Sequence, residues 1–357
     1  MYNRTYGNEY ALRPIWEGDI AYNESVMFVS EPDGSVPDAP LLYHADEVLE
    51  ACAADCSAVY QEGVDFLLVD GKIRRTEGSR MPLLTYEEAY PAEQKQEYSC
   101  FRKVGGGYIA CFDTVSTHFF HKHQVTFTYR HRDAYTGFIQ SSKARLLPNT
   151  LHKLQSGKPT RIMFFGDSIT TPANCSGQPT RENGCEPHLP SWPVLSFQRL
   201  AEQYPAAVYD NTAVGGMASP WGCDVVLEKF TPRAPDLAFI GFGMNDATGD
   251  MDPHVFAANI CTIMDRARTL HPAMEFVLVA TTVANPLALD FDKTQRAHEP
   301  LFLQMEREGV AVMQMTSVHE SLLARKRFYD MTGNDINHPN DYLSRAYAQT
   351  VLRLLGL

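Results

Sequence analysis

Four short groups of residues in this chain have the types and spacing that acyl transfer requires. In the first, Gly166-Asp167-Ser168 follows the apolar run Ile162-Met163-Phe164-Phe165. A serine turned out at the carboxyl end of a parallel strand sits where open α/β sheets bind ligands, and many acyl-transfer enzymes expose a nucleophile this way. The second is Asp335-Ile336-Asn337-His338. An aspartate three residues before a histidine on a polar loop can turn its carboxylate to the imidazole, fix the tautomer and stabilise the imidazolium. The third, Asn211-Thr212-Ala213-Val214-Gly215-Gly216, carries paired glycines that let backbone N–H groups approach a ligand closely. The fourth, Gly243-Met244-Asn245-Asp246, offers the Asn245 side-chain amide as a donor. A serine nucleophile needs a base, an orienter for that base and donors for the developing oxyanion, and each has a candidate here. Taken singly, each group also reads as an ordinary turn or helix cap.

The elements that must position these groups follow from periodicity. Beyond residue 150, strand patterns at 161–165, 207–214, 236–241, 275–281 and 310–315 alternate with amphipathic stretches at 192–204, 253–270 and 294–308, and 341–355 closes the chain. This rhythm predicts a parallel sheet covered by helices on both faces. Three of the four groups then fall at the carboxyl ends of the first three strands, and the fourth precedes the last helix, so all point to one edge of one sheet.

Before residue 150 the character is different. Phe66–Val69 and Ile73 flank Asp70-Gly71, a strong signal for a type I′ hairpin. Tyr108–Phe112 and the β-branched, aromatic stretch Gln124–Arg130 read as further strands. Residues 1–150 are therefore expected to form a mainly antiparallel, sandwich-like β-domain, with one short helix near Ala45–Ala54. Pro148–Pro159 reads as the linker to a second domain spanning 151–357.

With four such groups in this order, residues 160–357 resemble the SGNH hydrolase superfamily, also called GDSL-type esterases. The resemblance implies a flavodoxin-like three-layer α/β/α fold, with Ser168 as nucleophile, His338 as base and Asp335 as its orienter. It implies an oxyanion hole built from the Ser168 N–H, a glycine N–H of the second group and the Asn245 side chain. Gly216 is placed in that role, with Gly215 the fallback because the paired glycines blur the register. A β-rich domain ahead of the hydrolase resembles two-domain bacterial carbohydrate acetylesterases, which implies removal of O-acetyl groups from oligosaccharides. A lipase or thioesterase acting on small esters, and a non-catalytic glycan-binding protein, are the alternatives. Neither a cofactor nor a metal is expected.

Other features compete for a role. Asp167 adjoins the serine, but hydrogen bonding to the turn's own amides is its expected task. His118, His121 and His123 would share a strand edge, where the last two face one way and could hold a metal. Trp192 reads as the start of a core helix in preference to a sugar platform. The eight cysteines match no zinc spacing and are too sparse for a disulfide scaffold, so thiols are expected, with Cys175 and Cys185 the pair to inspect. The 43 acidic against 31 basic residues give a net charge of −12, which argues against nucleic acid or an anionic membrane as partner. With no apolar leader in Met1–Gly7 and no run long enough to span a bilayer, a cytoplasmic location is expected. A homo-oligomer stays compatible with the sequence.

Overall fold

The computed structural model describes residues 8–112, 116, 118–171, 173–177 and 184–357. The leader reading of Met1–Gly7 and part of the polar loop between Thr171 and Pro190 lie outside the described residues.

The N-terminal half is antiparallel. Strands β1 (Ile20–Met27), β2 (Ala45–Ala53) and β7 (Gln124–His131) form a sheet with β7 in the centre. Two hairpins complete this half: β3 (Phe66–Val69) with β4 (Lys72–Arg75), and β5 (Cys100–Arg102) with β6 (Tyr108–Ala110). Asp70 and Gly71 form the first hairpin's turn with φ of 47° and 70°, as a type I′ turn requires. Phe66 of that hairpin packs edge-on against Phe127 of β7. Short helix α1 (Asn8–Ala11) precedes the strands, and α2 (Tyr86–Ala89) and α3 (Phe119–His123) lie between them in the chain.

Two expectations for this half are corrected. Ala45–Ala53 is a strand, not a helix: its Ala, Glu and Leu content favours a helix, but β7 needs a partner along its second edge. The register slips between Ala45 and Glu47 and between Val48 and Glu50, which fits a sequence poorly suited to a regular strand. The stretch read as a linker is helix α4 (Pro148–Gln155). Pro148 occupies the first turn, where its missing N–H costs nothing, and the Glu275 carboxylate accepts the N–H groups of Asn149 (2.9 Å) and Thr150 (2.8 Å).

The second half has the expected layers. Strands β8 (Thr160–Gly166), β9 (Ala207–Asn211), β10 (Leu237–Gly241), β11 (Glu275–Ala280) and β12 (Val310–Gln314) form one parallel sheet in the order β12-β11-β10-β8-β9. Its helices are α5 (Trp192–Gln203), α6 (Ser219–Phe230), α7 (Met244–Thr248), α8 (Pro253–Leu270), α9 (Gln295–Met305), α10 (Met315–Leu323) and α11 (Asp341–Leu355). Alternate residues of each strand face opposite layers. Met163, Phe165, Ala238, Ile240, Phe276 and Leu278 pack with α6 and α8. Ile162, Phe164, Phe239 and Val277 pack with Trp192 of α5 and Tyr347 of α11. That second cluster continues without a break into Val26, Phe28 and Phe127 of the N-terminal sheet. Among the described residues, no helix is long and apolar enough to cross a membrane.

Candidate active site

The Gly-Asp-Ser turn exists because two strands close on it. Gly166 ends β8 beside Gly241 of β10, and a Cβ at Gly166 would lie 2.3 Å from the Gly241 carbonyl oxygen. Asp167 donates its N–H to that same oxygen at 3.1 Å. The Asp167 side chain turns inward and accepts the N–H of Ile169 at 2.9 Å, and the N–H of Met244 also bonds it. It is therefore the brace of the turn. Burial pushes its carboxyl up to about 7, and the neighbouring Asp246 carboxylate adds to the rise. Ser168 is left at the surface of the turn, 9% exposed.

His338 reaches the same point from the far end of the chain. Its Nε2 lies 2.9 Å from Ser168 Oγ. Its Nδ1 lies 2.5 Å from Asn174 Oδ1. With a carbonyl oxygen there, Nδ1 carries the ring proton and Nε2 is left to accept from the serine hydroxyl. The approach of Asn174 depends on Gly333, where a Cβ would lie 2.6 Å from that of Asn174.

Asp335 does not hold the imidazole. It is buried, with φ of 57°, and its carboxylate accepts from the Asn285 amide at 3.1 Å, which also bonds the Asp335 carbonyl oxygen at 2.8 Å. Burial raises this carboxyl well above the usual carboxylate range and Asp330 reinforces the rise, against the pull of the Asn285 bond. The left-handed backbone at Asp335 turns its side chain toward the loop after β11, and the Asn285 N–H secures that loop to the Ile336 carbonyl at 2.8 Å. Asn174 and Asn285 escaped the sequence reading because neither lies in a recognisable motif; only the fold brings them to this loop.

The donors expected for an oxyanion follow β9 and β10. Val214 donates its N–H to the Gly166 carbonyl at 3.0 Å, which draws the paired glycines toward the turn. Gly215, not Gly216, lies against the serine: a Cβ at Gly215 would sit 3.7 Å from Ser168 Cβ, whereas one at Gly216 would meet nothing within 4 Å. The positive φ of 78° at Gly216 carries the chain away into the next helix. Among the described residues, neither the Ser168 nor the Gly215 N–H has a hydrogen-bond acceptor. Asn245 opens helix α7 after Gly243, and its Nδ2 donates to the Met217 carbonyl at 3.0 Å. That bond uses one amide hydrogen and fixes the plane of the other.

The remaining candidates resolve differently. The three histidines belong to α3 and its start, not to a strand edge. His121 bonds the Glu186 carbonyl at 3.0 Å and His123 the Phe119 carbonyl at 2.8 Å, so their rings are engaged separately. Trp192 is fully buried, and its indole N–H donates to the Ile169 carbonyl at 2.8 Å behind the Gly-Asp-Ser turn. All eight cysteines are thiols.

Residues 164–346 match the GDSL-like Lipase/Acylhydrolase family. No curated protein matches the chain. Among solved structures, the chain is similar to a two-domain esterase active on acetylated mannans, co-crystallized with mannopentaose, at 20% identity and a TM-score of 0.47. That likeness covers 60% of this chain and 54% of the other, so the chain spans about half the length of that esterase. It is also similar to a catalytic mutant of Axe2, an acetylxylan esterase from Geobacillus stearothermophilus, at 15% identity and a TM-score of 0.46, covering 56% of this chain and 94% of that one. A third is TesA, at 18% identity and a TM-score of 0.42, covering 55% and 99%.

Proposed function

Because the chain belongs to the GDSL-like Lipase/Acylhydrolase family, we propose that it is a serine esterase in which Ser168 and His338 remove O-acetyl groups from an oligosaccharide. The observation that carries the reading is the 2.9 Å contact between Ser168 Oγ and His338 Nε2. In the first half-reaction Nε2 takes the hydroxyl proton as Oγ attacks the acetyl carbonyl. The oxygen that becomes negative is met by the N–H groups of Ser168 and Gly215 and by the second Asn245 amide hydrogen. Collapse of the tetrahedral intermediate breaks the bond to the sugar oxygen, which leaves with the proton held on Nε2. A water then gives its proton to Nε2, attacks the acyl-serine and releases acetate, restoring the serine hydroxyl. Asn174 keeps the imidazole in the tautomer these steps need.

Support for a polar leaving group is chemical. The segment between Thr171 and Pro190 is polar in sequence, and the net charge of −12 favours a neutral substrate over an anionic one.

The test is a substrate panel. Acetate release from acetylated oligosaccharides of several sugars is followed by mass spectrometry beside p-nitrophenyl esters of increasing chain length. Wild type should release acetate and prefer the acetyl ester, and Ser168→Ala should lose at least about 10⁴-fold in kcat. Activity retained by Ser168→Ala, or a preference for long acyl chains, would overturn the reading.

A further inference from the structure

We infer that Gln124 of the N-terminal sheet is a positioning residue for His338, so that this sheet is part of the apparatus that holds the catalytic base. The inference rests on the reading of His338 as base and extends it across the molecule.

His338 sits on a loop that closes on itself. Thr332 and Pro339 form a bridge, and the Asn340 N–H donates to the Met331 carbonyl at 3.1 Å. The His338 carbonyl accepts the Gly333 N–H at 2.9 Å and the Thr332 hydroxyl at 2.8 Å. Within the loop, Asn334 Oδ1 accepts the N–H groups of Ile336, Asn337 and His338, each at 3.0 Å. The backbone position of the imidazole is thus set by the neck of the loop at residues 329–332 and 340.

That neck is gripped from the sheet. Gln124 Nε2 donates to the Thr332 carbonyl at 2.8 Å and the Tyr329 carbonyl at 3.0 Å, while its Oε1 accepts from Asn340 Nδ2 at 3.0 Å. One amide therefore binds both sides of the neck and uses both its hydrogens. Asn340 Nδ2 also lies 3.0 Å from Ser25 Oγ and from the Asp330 carbonyl, so its two hydrogens are shared among three acceptors, and the Ser25 hydroxyl donates to the Asp330 carbonyl. The Asp330 carboxylate accepts the Met27 N–H of β1 at 2.8 Å. Gln124, Ser25, Asn340, Asp330 and Thr332 are all buried, so water cannot take over these bonds. An apolar contact would hold the two halves together equally well, but it would not fix the loop in register. A directional network does, and serine–histidine chemistry responds to displacements of an ångström.

The experiment compares Gln124→Met, His338→Ala and the double variant in the full chain on p-nitrophenyl acetate. Methionine keeps the length and bulk of glutamine and removes all three bonds. We expect Gln124→Met to lower kcat roughly tenfold to a hundredfold with KM within about twofold, while circular dichroism shows a folded protein. Added to His338→Ala, the same substitution should cost nothing further, because the group it positions is already gone. Ser25→Ala, which cuts a smaller part of the network, should lower kcat in the same direction and decides the matter if Gln124→Met does not fold. Wild-type kcat in Gln124→Met, or an equal further loss in the His338→Ala background, overturns the positioning role while leaving the base in place. Near-wild-type activity of His338→Ala overturns the base assignment itself.

Discussion

His338 Nδ1 meets Asn174 Oδ1 at 2.5 Å, while Asp335, three residues from the same histidine, gives its carboxylate to Asn285. The contact to the imidazole Nδ1 therefore comes from the segment following Ser168, and the aspartate of the Asp-x-x-His group bonds the loop that carries Asn285. An amide oxygen fixes the tautomer as a carboxylate would, but it supplies no full counter-charge to the imidazolium.

The two side chains should separate cleanly in kinetics. Asn174→Ala is expected to lower kcat roughly 10²-fold by freeing the ring to turn, whereas Asp335→Asn, which keeps an acceptor toward Asn285, should lose less than about threefold in kcat while lowering thermal stability. Steady-state rates on p-nitrophenyl acetate decide it. A larger loss in Asp335→Asn than in Asn174→Ala would return the orienting role to the aspartate.

The paired glycines give a second contrast. Gly215→Ala places a methyl group 3.7 Å from Ser168 Cβ, where an incoming acyl group and its oxyanion must fit, and kcat should fall. Gly216→Ala faces open space but must hold a φ of 78°, so it should cost stability, about 1 kcal/mol, and little activity. Melting temperature and kcat measured on both variants would show opposite patterns; the reverse pattern would put Gly216 in the hole. Asn245→Ala should lower kcat by about 10²–10³ with little change in KM, because its donor matters most in the transition state.

Asp167 ties stability to pH. Its carboxyl stands at about 7 in the folded chain, raised by burial, against about 3.9 for an ordinary aspartate. Between those values the folded protein keeps a proton that the unfolded chain has released, so this group's contribution to stability falls as pH rises through the window. Asp167→Asn removes the titration. The melting temperature of wild type, relative to Asp167→Asn, should therefore drop from pH 5 to pH 7.5, and parallel curves over that range would contradict the argument.

A buried ion pair joins the two halves. Lys326 Nζ lies 2.5 Å from Glu24 Oε1, both side chains within 1% of full burial, and Glu24 also accepts from Tyr129 Oη at 2.7 Å and the Leu42 N–H at 2.8 Å. Lys326→Met leaves a carboxylate buried without its cation and should cost about 3–5 kcal/mol. The double change Glu24→Gln with Lys326→Met should cost much less than the sum of the singles, as denaturant titration would show. Additive losses would mean the two charges do not compensate each other.

The sequence by itself determined everything that depends on local rules. Asp70-Gly71 demanded a hairpin because few other pairs tolerate two positive φ values. The apolar runs read at 161–165, 236–241, 275–281 and 310–315 are strands of one parallel sheet, which brings its strand ends, with Ser168, Asn245 and the glycine pair, to one edge. Tertiary structure decided what depends on neighbours distant in the chain. Ala45–Ala53 became a strand because β7 offered an unpaired edge, against the preference of its own residues. Pro148 began a helix because the Glu275 carboxylate was there to accept its first N–H groups. Gly215, not Gly216, lies against Ser168 because the Val214 bond to Gly166 sets the register. Asn174 displaced Asp335 from the imidazole, and Gln124 came to hold the loop that carries it, because hydrogen-bond partners are chosen by distance in space, and spacing along a chain reports that distance only within a turn or two.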